Sequence, residues 1–171
     1  MPPPYLVGPE TPRLRHRAMT TADAETFFRL KSDPEVNRYT GEEPFASLDV
    51  ARDALATYPD FETHGFGRWG VELKETGELI GFSGLKRLDE FDAVDIGYRF
   101  FPQHWGKGYA TEASSACLDF GFQTLGLDRI IALVIQDNAA SIRVLEKTGM
   151  RKVGPVVTEG VEALLYERLR D

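Results

Sequence analysis

A chain of 171 residues, 42% of them hydrophobic and spread along its whole length, can bury one full core, so residues 1–171 read as a single domain. Its formal charge of -7 is carried by scattered groups, which leaves no basic stripe for nucleic acid. The one cysteine, Cys117, excludes a disulfide framework and a thiolate metal cage. No signal-like or spanning apolar run is visible, so a cytoplasmic protein with no membrane partner is expected.

Residues 1–10, opening Met1-Pro2-Pro3-Pro4-Tyr5, read as a loose extended leader. Pro12 to Met19 alternates as a first strand, and Thr20-Thr21-Ala22-Asp23 caps the helix AETFFRLKS, which Pro34 ends. Ser47 caps a second helix, LDVARDALATY. Between the two helices lies the polar stretch Asn37 to Pro44 with Tyr39 in it, the kind of loop that lies over a cleft and selects substrate. Strands over Gly67 to Leu73 and Leu79 to Leu88 are joined by the hairpin signal Lys74-Glu75-Thr76-Gly77, with Trp69 near the centre of the sheet. A strand over Asp92 to Phe101, a helix over Gly108 to Leu125 and a strand over Asp128 to Gln136 form a parallel crossover. A helix over Ala139 to Thr148 follows, then strands over Met150 to Val156 and Val161 to Leu169, turned at Glu159-Gly160.

The run IGYRFFPQHWGKGYATEA, Ile96 to Ala113, carries the most information. An aromatic strand is stopped by Pro102 and enters a loop whose Gly106 and Gly108 let backbone N–H groups converge, and Thr111 and Glu112 then begin a helix. The positive end of that helix suits a pyrophosphate without a lysine clamp. Glycines in such a turn serve conformation alone about as often. The second unit adds weight: RIIALVIQ reads as a buried strand, followed by Asp137-Asn138-Ala139-Ala140-Ser141 and a helix ending at Lys147-Thr148-Gly149.

Together these units resemble the Gcn5-related N-acetyltransferase (GNAT) family, in particular its ribosomal-protein N-terminal acetyltransferase branch. The phosphate-loop frame is Trp105-Gly106-Lys107-Gly108-Tyr109-Ala110, with Trp105 in place of the family's glutamine or arginine; the shifted frame from Gln103 leaves Tyr109 and Ala110 unexplained. The resemblance implies an α/β fold with a mixed central sheet of about seven strands, helices on both faces, and a splay at the cofactor strand. It implies acetyl-CoA as cofactor, with Tyr98, Phe100 and Phe101 along the pantetheine arm, the Phe100 N–H as oxyanion donor, and Trp105 to Thr111 around the pyrophosphate.

Within the last helix, Asn138, Ser141 and Leu145 share one face by the 3.6-residue period, while Arg143 and Lys147 lie opposite. Asn138 reads equally as a helix N-cap and as a cofactor contact, and the two are compatible. Family members often carry a thiolate-protonating tyrosine where this chain has Leu145, which leaves Ser141, or a water it orders, to hydrogen-bond the sulfur. Asp95 is the acidic candidate for a base acting through water, although a strand carboxylate at a sheet end is more often solvated. The demand for a base is small: deprotonating an α-amine at pH 7 costs about 1 to 1.5 kcal/mol, against about 4.6 for a lysine.

Tyr39, Trp69 and Tyr166 are candidates to line the acceptor cleft, though each reads equally well as packing. His104 lies in the phosphate loop, whereas His16 and His64 read as a strand and a loop residue, and three dispersed histidines build no metal site. The reading is direct acetyl transfer in a ternary complex to a primary amine, a protein N-terminus or a small molecule, by a monomer or homodimer. The alternative is a non-catalytic acyl-CoA-binding module, kept open by Leu145. A nucleotide-binding domain is weaker, because no Gly-Lys-Ser/Thr occurs.

Overall fold

The computed structural model describes residues 4–171. Eight strands form one sheet: β1 (Val7–Glu10), β2 (Leu14–Arg17), β3 (Arg68–Leu73), β4 (Leu79–Leu88), β5 (Ala93–Phe100), β6 (Arg129–Val134), β7 (Arg151–Thr158) and β8 (Val161–Leu169). Their spatial order is β1-β2-β3-β4-β5-β6-β8-β7. Every neighbouring pair is antiparallel except β5 and β6, which run parallel. The helices are α1 (Ala24–Ser32), α2 (Pro34–Asn37), α3 (Leu48–Ala56), α4 (Asp60–His64), α5 (Tyr109–Asp119) and α6 (Ala139–Lys147). Among the described residues no helix is long and apolar enough to cross a membrane.

The eighth strand comes from the segment expected to be loose. Met1 to Pro3 lie outside the described residues, but β1 pairs with β2, and the Tyr5 ring meets Phe120 edge-on at 5.2 Å between centroids. The Tyr5 carbonyl also accepts the Trp69 indole N–H at 2.8 Å. An aromatic residue that fills the core and supplies an acceptor overrides the extended bias of the prolines before it.

Pro34 does not simply end α1. The residue before it, Asp33, is extended, as a pre-proline residue prefers, and its carboxylate accepts from the Glu35 N–H at 2.8 Å to cap α2, which Pro34 opens. Ser47 caps α3 through the Val50 N–H, as expected.

Strand alternation sorts the sheet's two faces. The register Ser83↔Tyr98 and Leu85↔Ile96 puts these residues on the α5 side, where Ser83 Oγ meets Cys117 Sγ of α5 at 3.5 Å. The pairs Phe82↔Arg99, Gly84↔Gly97 and Lys86↔Asp95 therefore face the other way, toward α1 and α2. Trp69 pairs with Ser83, so it belongs to the α5 side. It is fully buried there against Phe120, Phe61 and His16, at 5.1, 6.2 and 6.1 Å between ring centroids. Trp69 is thus a core residue and does not line the acceptor cleft. Tyr166, 3% exposed in the same core cluster, is corrected for the same reason.

His16 is a buried strand residue on β2, and burial pulls its pKa down to about 4 against the opposing pull of the Pro9 carbonyl, 2.8 Å from Nδ1. Cys117 is fully buried, and that burial pushes its thiol up to about 12. It is a small hydrophobe rather than a nucleophile.

Candidate active site

The site begins where the sheet opens. β5 pairs with β4 along its whole length, but with β6 only at Val94↔Ile130 and Asp95↔Ile131. Beyond Asp95 the two parallel strands part. The Phe101 N–H donates to the Ile80 carbonyl at 3.0 Å, so by two-residue alternation the backbone groups of Ile96, Tyr98 and Phe100 point into the gap. Trp105 Nε1 donates to the Phe100 carbonyl at 2.8 Å, which leaves the Phe100 N–H facing the cleft. Trp105 thereby acquires a role that the sequence frame could not show.

One end of the gap is closed by the loop before α5. Gly106 and Gly108 have φ of 75° and 84°, the left-handed region that L side chains rarely adopt. The first N–H of this stretch to find a backbone acceptor is that of Glu112, which donates to the Gly108 carbonyl at 3.0 Å. The N–H groups from Gly106 to Thr111 are thus the open positive end of a helix.

Arg13 straps this loop. Its Nη1 donates to the Lys107 carbonyl at 3.0 Å, its Nε pairs with Glu112 at 2.7 Å, and its guanidinium lies over the Tyr109 ring at 4.4 Å. Burial pulls the Glu112 carboxyl upward, but hydrogen bonds from Thr11 and Arg13 outweigh it and hold the group below its ordinary value. Neither Arg13 nor Glu112 was readable as part of the site, because they lie 99 residues apart. Arg13→Ala is expected to weaken CoA binding three- to tenfold, since the loop then samples other conformations at the cost of its ready-made N–H array. Calorimetry checks this, and unchanged affinity would show that the loop holds its shape unaided.

The far wall is α6. Asn138 Oδ1 accepts the Ser141 N–H at 3.2 Å, so the expected N-cap is present, and Ser141 Oγ is free for other use. It lies 2.8 Å from the Tyr98 hydroxyl of β5. Burial pushes the Tyr98 phenol up, with the Ser141 hydrogen bond opposing, so the phenol keeps its proton at neutral pH. Leu145 is 5% exposed and packed into the core.

A cleft of about 1150 Å³ runs from the α1–α2 side through the gap to α6. Tyr98, Phe100, Trp105, Gly106, Gly108 and Tyr109 to Thr111 line it together with Asn138 and Ser141, and Asp95 and Tyr39 border it as well. The side chain of one expected cofactor residue stands outside. The Phe101 side chain packs with Leu30, Val36 and Phe82 on the opposite face of the sheet, because it is one residue out of phase with Phe100. Asp95 is 8% exposed and paired with Arg68 Nη2 at 2.9 Å. The guanidinium crosses Gly97 to reach it: a Cβ at Gly97 would lie 2.7 Å from Arg68 Nη2. The Arg68 contact argues for a positioning use of Asp95.

A splayed pair of parallel strands offering unpaired backbone to an extended amide chain, closed by a helix start that suits a diphosphate, defines an acyltransferase that works on a coenzyme A thioester. Comparison with known proteins agrees. Residues 13–151 match the family model of the acetyltransferase (GNAT) domain. The chain is 42% identical over 147 residues to the uncharacterized N-acetyltransferase YoaA of Bacillus subtilis, covering 85% of this chain and 83% of that protein. A GNAT-family acetyltransferase from Bacillus anthracis superposes with a TM-score of 0.80 at 29% identity, covering 94% of this chain and 97% of that one. Spermidine N-acetyltransferase from Vibrio cholerae, in complex with CoA and spermine, shares the fold with a TM-score of 0.79 at 23% identity, over 94% and 97% of the two chains. The chain belongs to the GNAT family and is an acetyl-CoA-dependent N-acetyltransferase.

Proposed function

We propose that the chain transfers acetyl directly to a primary amine in a ternary complex, with the amine entering from the α1–α2 side and the cofactor lying in the gap between β5 and β6. The observation that carries this reading is the break in β5–β6 pairing after Asp95, which turns strand backbone into a binding surface. Trp105 to Thr111 would hold the pyrophosphate, and Tyr98 and Phe100 the pantetheine arm. When bound, acetyl-CoA supplies the acetyl group as a thioester.

The chain's own groups divide the remaining work. The Phe100 N–H donates to the carbonyl oxygen as it gains charge. Ser141 Oγ donates toward the sulfur, and the Tyr98 hydroxyl behind it can replace that proton through their 2.8 Å hydrogen bond. An acyl-enzyme has little support: Cys117 is fully buried, and the hydroxyl partner of Ser141 is a phenol rather than a base.

The acceptor is an amine, and the spermidine acetylated by the Vibrio cholerae protein supports that class. The branch resemblance in the phosphate loop supports a protein N-terminus instead. Release of free thiol from acetyl-CoA, measured against a panel of amines and N-terminal peptides, tests the proposal. Turnover of any member supports direct amine transfer, and tight CoA binding with no turnover of any member would overturn it.

A further inference from the structure

On the acceptor side of the sheet the charge runs against that of the chain. Arg99, Lys86 and Arg68 all project from the face under α1 and α2, as the register of β3, β4 and β5 requires. Lys31 joins them from α1. Four cations therefore share this wall with two carboxylates, Glu42 and Asp95, in a protein whose formal charge is -7.

The two carboxylates are unequally placed. Asp95 is committed to Arg68. Glu42 serves both other buried cations at once, with its carboxylate 2.8 and 3.0 Å from the Arg99 guanidinium and 2.5 Å from Lys31 Nζ. The Lys31 and Arg99 side chains are only 14% and 15% exposed. Lys86 is exposed and has no ion-pair partner among the described residues. Burial lowers the Lys31 pKa, and the Arg99 charge lowers it further against the pull of Glu42.

Other acids bordering the cleft do not neutralise this wall. Asp89 pairs with Arg87, and Glu90 accepts from Thr158 Oγ1 at 2.9 Å. Glu35 and Glu159 are exposed and form no ion pair with these cations among the described residues. Buried cations are tolerated where anions complete them. Glu42 itself sits on the stretch between α2 and α3, which has no regular secondary structure around it.

We infer that the amine acceptor also carries an anionic group, carboxylate or phosphate, and that Arg99, Lys31 and Lys86 receive it on the α1–α2 face while Glu42 holds its place in the empty cleft. The inference rests on the amine-transfer reading of the same cleft. A polycationic amine would add charge of the same sign to the wall, whereas an anionic acceptor completes it. In each turnover the N–C bond forms as the C–S bond breaks; the ammonium gives one proton to solvent, and one proton ends on the departing sulfur.

Matched pairs of amines that differ only in the anion test this: tyrosine against tyramine, phosphoethanolamine against ethanolamine, with 1,4-diaminobutane as the cationic control. The anionic member of at least one pair is expected to show a kcat/KM at least tenfold higher, and the pair in which this occurs separates carboxylate from phosphate. The preference should fall below threefold in Arg99→Gln and be reduced in Lys86→Gln, an exposed position where folding is not at stake. Preference for the members that lack the anion, or for the diamine, with good turnover, would overturn the anionic acceptor and leave amine transfer standing. Silence from every amine would instead overturn the transfer reading, and this inference with it.

Discussion

Gly108→Val is expected to lower CoA affinity about a hundredfold, some 2.7 kcal/mol, in a protein that still folds. Two costs add. At φ of 84° a β-branched residue is strained, and a Cβ at this position would stand 3.3 Å from Arg13 Nη2, pushing against the strap that fixes the loop. Relief by either route turns the N–H groups of Gly108 to Thr111 away from a common focus, and a diphosphate needs them together. Gly106→Ala makes the matching control. Its φ is 75°, but a Cβ there meets nothing within 4 Å, so only backbone strain of about 1 kcal/mol applies and the loss should stay within about tenfold. Calorimetric titration with CoA, paired with a thermal melt, reads both. A folded Gly108→Val protein with undiminished affinity would place the pyrophosphate elsewhere.

The sheet and the glycine loop before α5 were legible because their signals are local. Turn glycines, capping residues and two-residue alternation each act within a few positions, so the strand over Leu79 to Leu88 and the helix capped by Ser47 appear where they were expected. The splay was not written in any local pattern. It follows from where β6 stops pairing with β5, and here it entered through family resemblance alone.

The acceptor wall shows the same limit more sharply. Arg68, Lys86 and Arg99 look like ordinary charged positions in amphipathic strands. Only the register shows that they share a face with Asp95, and only the path of α1 brings Lys31 to them. One signal was available: a charged residue at every fourth position of β5, Asp95 and Arg99, with Gly97 between, breaks the apolar pattern of a central strand. Trp69 and Tyr166 were misplaced for the converse reason. Composition shows that an aromatic residue is large and amphipathic, but which side of the sheet it fills depends on parity with strands far away in the sequence.

Ser141→Ala is expected to lower kcat about a hundredfold while acetyl-CoA affinity stays within twofold. A hydrogen bond that strengthens as charge collects on the sulfur contributes to the transition state and little to the ground state, and such a loss appears in kcat. The structure narrows the alternatives. The helix cap belongs to Asn138, so Ser141 Oγ is not needed to start α6, and the melting temperature should move by no more than a loss of about 1 kcal/mol implies. Among the described residues the one hydrogen-bond partner of Ser141 Oγ is the Tyr98 hydroxyl at 2.8 Å, which makes a second variant decisive. Tyr98→Phe should lower kcat about tenfold by cutting the relay while leaving the Ser141 hydroxyl in place. The double variant should be no slower than Ser141→Ala alone, because groups that act in series lose their separate effects once the first is gone. A merely structural pair would lower the melting temperature in each single variant and leave turnover intact. In that case the proton on the departing sulfur comes from water, as the ordinary thiol pKa of about 8.5 permits, and Leu145 marks a family member that dispenses with a protein acid.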